Sequence, residues 1–144
     1  MTPEILARIA TARAARDLSD LARQTVAAIA QPSSPAERIE QARLLRKLAG
    51  DVVDLVVLAE ALSGTSWEEI ANALRRLDPD TVEGEFAQDV ADWSSMPEAA
   101  LARGAEGFEA LDAWYARHRE DPDPELPTPV ADLLNPRRSP RPGR

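Results

Sequence analysis

The chain predicts an all-α fold of about five helices, and three observations predict it. Apolar residues recur at helical spacing, and no run alternates with period two as a strand would. Each break between apolar segments carries a capping residue, and all but the one at Ser63–Ser66 carry a proline as well. Much of the 44% apolar content is alanine, with only three tryptophans, two phenylalanines and one tyrosine, a composition suited to close helix packing. At 144 residues the chain is about the size of one domain, expected over residues 1–120.

Thr2-Pro3 opens the first helix, which runs to about Gln31, with the hydroxyl at the N-cap and proline where its missing N–H costs little. Its apolar positions do not form one stripe. Ile5, Ile9 and Ala12 lie on a different face from Leu18, Leu21, Thr25 and Ile29, so the two halves are expected to meet different neighbours, through a kink near Asp17 or a dimer contact. Ser34-Pro35-Ala36-Glu37 opens the second helix with a capping box. In it Val52, Val53, Leu55, Val56, Val57 and Leu58 leave almost no polar face, which predicts the buried centre of the fold.

Ser63-Gly64 ends that helix, and Ser66 with Glu69 opens the third by another capping box. Trp67, Ile70, Ala71, Leu74 and Leu77 form its stripe. Asp78-Pro79 starts the fourth helix, with Val82, Phe86, Val90 and Trp93 inward. Ser95-Met96-Pro97-Glu98 starts the fifth, expected to run unbroken to about Arg119 with Leu101, Ala105, Phe108, Leu111 and Tyr115 on its stripe. From Asp121 onward seven prolines in 24 residues predict an extended or disordered tail over 121–144, ending in four arginines. Within it Val130, Leu133 and Leu134 form a small apolar island that could dock.

Chemistry-bearing residues are sparse. With no cysteine there is no disulfide, thiolate zinc site or cysteine nucleophile, and His118 alone cannot build a histidine metal site, so no metal or cofactor is expected. No serine sits in a nucleophile elbow and no glycine-rich phosphate loop occurs, which argues against an enzyme. Asp78-Pro79-Asp80 lacks the spacing of a calcium loop, and Glu68, Glu69, Asp78 and Asp80 suit helix starts through the macrodipole. The start shows no basic segment followed by an apolar one, and no run approaches a bilayer span, so a cytoplasmic protein without a membrane partner is expected. The net charge of −8 disfavours nonspecific attraction to DNA.

Ser66 to Trp93 supplies what a helix-turn-helix needs: apolar positions facing a core and a small residue, Ala71, where two helices cross. The run Gly64-Thr65-Ser66-Trp67-Glu68-Glu69-Ile70-Ala71-Asn72-Ala73-Leu74, followed by Asp80-Thr81-Val82, resembles the helix-turn-helix segments of small regulatory proteins of high-GC bacteria. The resemblance spans about 63–95 and implies that fold, with the usual turn glycine replaced by Arg75-Arg76. It further implies DNA binding to regulate transcription, with Thr81, Glu85 and Gln88 nearest the bases and Arg75 and Arg76 on phosphates, and a homodimer formed through the first two helices is expected beside it.

The charge pattern opposes that ligand. The outward face of the fourth helix holds Thr81, Glu85, Gln88 and Asp92, and residues 66–95 carry eight acids against two bases, a net of −6. Arg8, Arg13, Arg16, Arg23 and the terminal arginines are the other candidates for phosphate contact. The rival expectation is a protein-interaction module, such as an adaptor, an antitoxin or a nucleic-acid mimic, that uses the acidic helix 80–93 on a basic protein partner. A continuous positive stripe beside the fourth helix discriminates the two.

Overall fold

A computed structural model describes residues 1–135, and among these the secondary structure is entirely helical. The order is α1 (Pro3–Ala28), α2 (Pro35–Ser63), α3 (Trp67–Ala73), α4 (Pro79–Ser94), α5 (Glu98–Ala105), α6 (Glu109–His118) and the single turn α7 (Ala131–Leu134). Among the described residues no helix is long and apolar enough to cross a membrane.

The helix starts follow the proline and hydroxyl signals. Thr2 accepts the Ile5 N–H at 3.2 Å, and Ser34 and Glu37 form the full capping box that opens α2. Gly64 closes α2 at φ 93°, the left-handed conformation that glycine adopts without a Cβ penalty. Ser66 accepts the Glu69 N–H at 3.2 Å, but Glu69 returns only to the Ser66 hydroxyl, so α3 opens on half of the expected box.

α1 and α2 form an antiparallel hairpin, and three buried clusters sit at its base. Ala7 meets Leu58 and Ala59, small residues that bring the two helices close. Val57, one residue earlier, faces Ile70, Ala71, Val82 and Phe86 and so joins α2 to α3 and α4. Leu6 and Ile9 join α1 to Leu101, Ala105 and Leu111 of α5 and α6. α1 runs unbroken through Asp17, without the expected kink, and α6 meets both of its halves, through Leu6 and Ile9 in the first and through Asp20, which accepts from Trp114, in the second.

Three expectations need correction. α2 is not buried all round: Val57 and Leu58 are covered, but Val53 and Val56 remain 47% and 43% exposed, because α3 is only 7 residues long and cannot close that side. Leu77 does not extend the α3 stripe, since the helix stops at Ala73 and Leu77 stands fully in solvent. The fifth helix is two helices, broken where Gly107 takes φ 77°. Arg13 reaches across from α1 to donate to the carbonyls of Gly104 and Glu106, giving partners to backbone groups at the break.

The extended tail also begins later than Asp121. Asp112, buried at 7% exposure on α6, accepts the backbone N–H of Val130 at 2.7 Å and of Ala131 at 3.0 Å, and Val130 enters the core beside Leu6 and Leu111. Tyr115 donates to the Pro124 carbonyl and holds the start of the same segment. The remaining part of the expected tail, residues 136–144 with Arg137, Arg138, Arg141 and Arg144, lies outside the described residues.

Asp112→Ala is expected to leave two amides without their acceptor and to cost about 2 kcal/mol in urea unfolding. Hydrogen exchange of the Val130 and Ala131 amides should accelerate, while that of α3 and α4 should not. Unchanged exchange at Val130 refutes the assignment of Asp112 as the clamp.

Candidate interaction surface

The turn between α3 and α4 has a defined geometry in spite of its missing glycine. Leu74 caps α3, Arg75 takes φ 56°, and the Arg76 N–H reaches back to the Ala71 carbonyl at 2.8 Å while the Arg75 N–H meets Asn72 at 3.0 Å. These two bonds make a Schellman closure, with arginine in the left-handed position that glycine usually fills. α4 then starts on Asp78, which accepts the Asp80 N–H at 3.1 Å and the Thr81 hydroxyl.

Packing of the pair follows the expected stripes. Ala71 is 1% and Val82 0% exposed, Phe86 seals the crossing, and Trp67 stacks on Phe86 with ring centroids 6.4 Å apart.

All six residues singled out by sequence lie on or beside α4, and all are exposed. Several of them engage each other or the fold. Arg76 grips Glu85 with two parallel bonds, of 2.8 and 3.3 Å, so the base expected on phosphate is neutralised by the acid expected over the bases. This pair holds the Glu85 carboxyl below its ordinary range and raises the Arg76 guanidinium. Gln88 donates to Asp92 at 2.7 Å, and Thr81 is occupied in the cap of α4, where its hydroxyl lowers the Asp78 carboxyl. Arg75 is exposed at the turn and serves the closure through its backbone.

The first-helix arginines are committed as well. Arg8 pairs with Glu4 and Glu60, Arg16 with Asp17 and Arg23 with Asp20, while Arg13 braces the α5–α6 break. Beside α4 the neighbouring charge is again negative. Asp54 of α2 titrates above the usual carboxylate range, first because it is partly desolvated and then because Asp51, Asp89 and Glu85 are close. Reading by sequence missed Asp51 and Asp54, since nothing local to α2 announces that they join the acids of α4. Along the described residues α4 is therefore flanked by carboxylates rather than by a positive stripe.

Sequence reading also missed an apolar groove of about 250 Å³ on another side of α2, lined by Val52, Val53, Val56, Ile70, Ala73 and Leu74. The one available signal was the apolar run Val52–Leu58, interrupted only by Asp54, which looks the same whether its second side is covered or open. Among the described residues no group of three or more His, Asp or Glu side chains is placed to hold a metal ion. Comparison with known protein families, curated proteins and solved structures finds no match.

Two measurements test this geometry. Arg75→Gly should stabilise the protein by about 0.5–1 kcal/mol by removing the Cβ from a left-handed residue; a loss of stability contradicts the assigned turn. Asp54 binds its proton more tightly folded than unfolded, so its ionised form opposes folding at neutral pH and ceases to do so once both states are protonated. Asp54→Asn is expected to raise Tm at pH 7, with the difference from wild type fading as pH falls to about 3. A gap that persists at acid pH contradicts this origin.

Proposed function

We propose that this chain is a non-enzymatic regulatory interaction module whose helix-turn-helix-like unit offers the acidic face of α4 to a basic protein partner. The observation that carries the reading is the pairing of Arg76 with Glu85 on a helix that has no base of its own and whose flank carries Asp51 and Asp54. Phosphate contacts supply most of the affinity of a DNA-binding unit, and this surface repels phosphate. A basic partner instead meets preorganised carboxylates, which speed encounter and select against acidic competitors.

A second reading, transcriptional regulation through DNA bound by the same unit, is favoured by the packing of α3 on α4 through Ile70, Ala71, Val82 and Phe86. Charge reversal separates the two readings because its effects have opposite signs. With Glu85, Asp89 and Asp92 all changed to lysine, affinity for an arginine-rich peptide is expected to fall at least about tenfold in fluorescence anisotropy at low salt. Wild-type protein should leave a random-sequence duplex unshifted. Duplex binding that disappears in Arg75→Ala with Arg76→Ala would overturn the first reading in favour of the second.

A further inference from the structure

We propose that the groove between α1 and α6 is a recognition site for an extended, proline-flanked peptide segment of a partner protein, and that this chain's own residues 124–134 occupy it in cis. The site is separate from the acidic face of α4 and does not rest on the reading of that face.

The strap formed by residues 121–135 is held in the way a bound peptide is held. Residues 121–128 are exposed, and from Pro124 onward three hydrogen bonds tie the strap to the helical body among the described residues, all through its main chain. Tyr115 donates to the Pro124 carbonyl, and the Asp112 carboxylate accepts the successive amides of Val130 and Ala131. Bonds to main-chain groups are open to any extended segment, so side-chain pockets carry the selectivity. Here one side chain is the anchor: Val130 is buried beside Leu6 and Leu111, with Leu133 and Leu134 partly buried against the same cluster.

The strap's composition suits this role. Pro122, Pro124, Pro127 and Pro129 fix φ at alternate or near-alternate positions, so the segment loses little conformational freedom on seating. Trp114 and Tyr115 line the groove together with Pro124 and Pro129, and an aromatic wall against prolines is a general means of recognising extended chains.

The strap also leaves part of its seat open. A cleft of about 420 Å³ lies beside it, walled by Ala12 and Ala15 of α1, Trp114 of α6, and Leu126, Pro129 and Leu133 of the strap. Its one charged lining residue, Arg16, is paired with Asp17 at 3.1 Å, so the cleft favours apolar groups. A partner segment that keeps the two amides and the anchor, and sets bulkier apolar side chains over Ala12 and Ala15, makes the strap's contacts and adds to them. Tethering gives the strap an effective concentration in the range of about 1 mM, which such a partner must exceed in affinity.

A fluorescent peptide of residues 121–135 tests the site by anisotropy against the full chain. Wild-type protein is expected to bind it weakly, because the strap competes. Val130→Asp in the protein sets a carboxylate in the anchor position beside Asp112, unseats the strap and should tighten peptide binding at least about tenfold. Adding Asp112→Ala to that variant should abolish the gain, and Leu126→Trp in the peptide should enlarge it by filling the cleft. Hydrogen exchange of the wild-type chain gives a reading that does not depend on how the variant folds. The Val130 and Ala131 amides are expected to exchange at least about tenfold faster than the most protected amides of α6, because the strap opens while the helices stay closed. A folded Val130→Asp chain that leaves the peptide unbound at about 1 mM, binding indifferent to Asp112→Ala, a Leu126→Trp peptide weaker than the native one, or strap amides that exchange only as fast as those of α6 would each overturn the proposal.

Discussion

The contact on which the rest of the molecule depends is the close approach of α1 and α2 at Ala7, Leu58 and Ala59. Two alanines at a crossing bring the axes together, and the neighbouring positions on each helix then face outward to other partners. Val57 turns to α3 and α4, and Leu6 and Ile9 turn to α5 and α6. One flanking cluster is built on α2 and the other on α1, and α4 contributes to both, with Val82 and Phe86 in the first and Trp93 against the second. Val90 and Trp93 of α4 also pack against the α1–α2 contact itself.

The electrostatic design follows from how few bases are left over. Arg8 and Arg16 offset carboxylates on or near their own helix, Arg76 offsets Glu85, and Arg13 satisfies carbonyls. What remains is an acidic α4 beside Asp51 and Asp54, and a mildly basic stretch over residues 33–50. Each of these exposed pairs contributes little to stability, so the charge pattern shapes the surface potential more than it holds the fold.

Both the α3–α4 turn and the clamped segment after α6 show how a backbone need is met by an unexpected residue. In the turn, arginine accepts a left-handed conformation because two backbone bonds of the Schellman closure hold it there. After α6, a proline-rich stretch that cannot form its own ladder is ordered from outside, by a buried carboxylate that accepts two of its amides.

Helix starts were legible in the sequence because capping is local: Thr2, Ser34, Ser66 and Asp78 each satisfy an amide two or three residues ahead, and proline follows directly in three of the four. The inward stripes of α3 and α4 were legible for the same reason, since the residues that meet across the crossing repeat at the helical period. The break at Gly107, the docking of Val130, the exposure of Val53 and Val56, and the joining of Asp54 to the acids of α4 were not. Each depends on a group distant in sequence, namely Arg13 for the break, Asp112 for the docked segment, the shortness of α3 for the open valines, and Glu85 and Asp89 for Asp54. The sequence by itself thus determined where helices begin and which faces are apolar, because those are set by interactions within a turn or two. Tertiary structure alone decided which apolar faces are covered and which charges become neighbours, because burial and Coulomb interaction depend on distance in space.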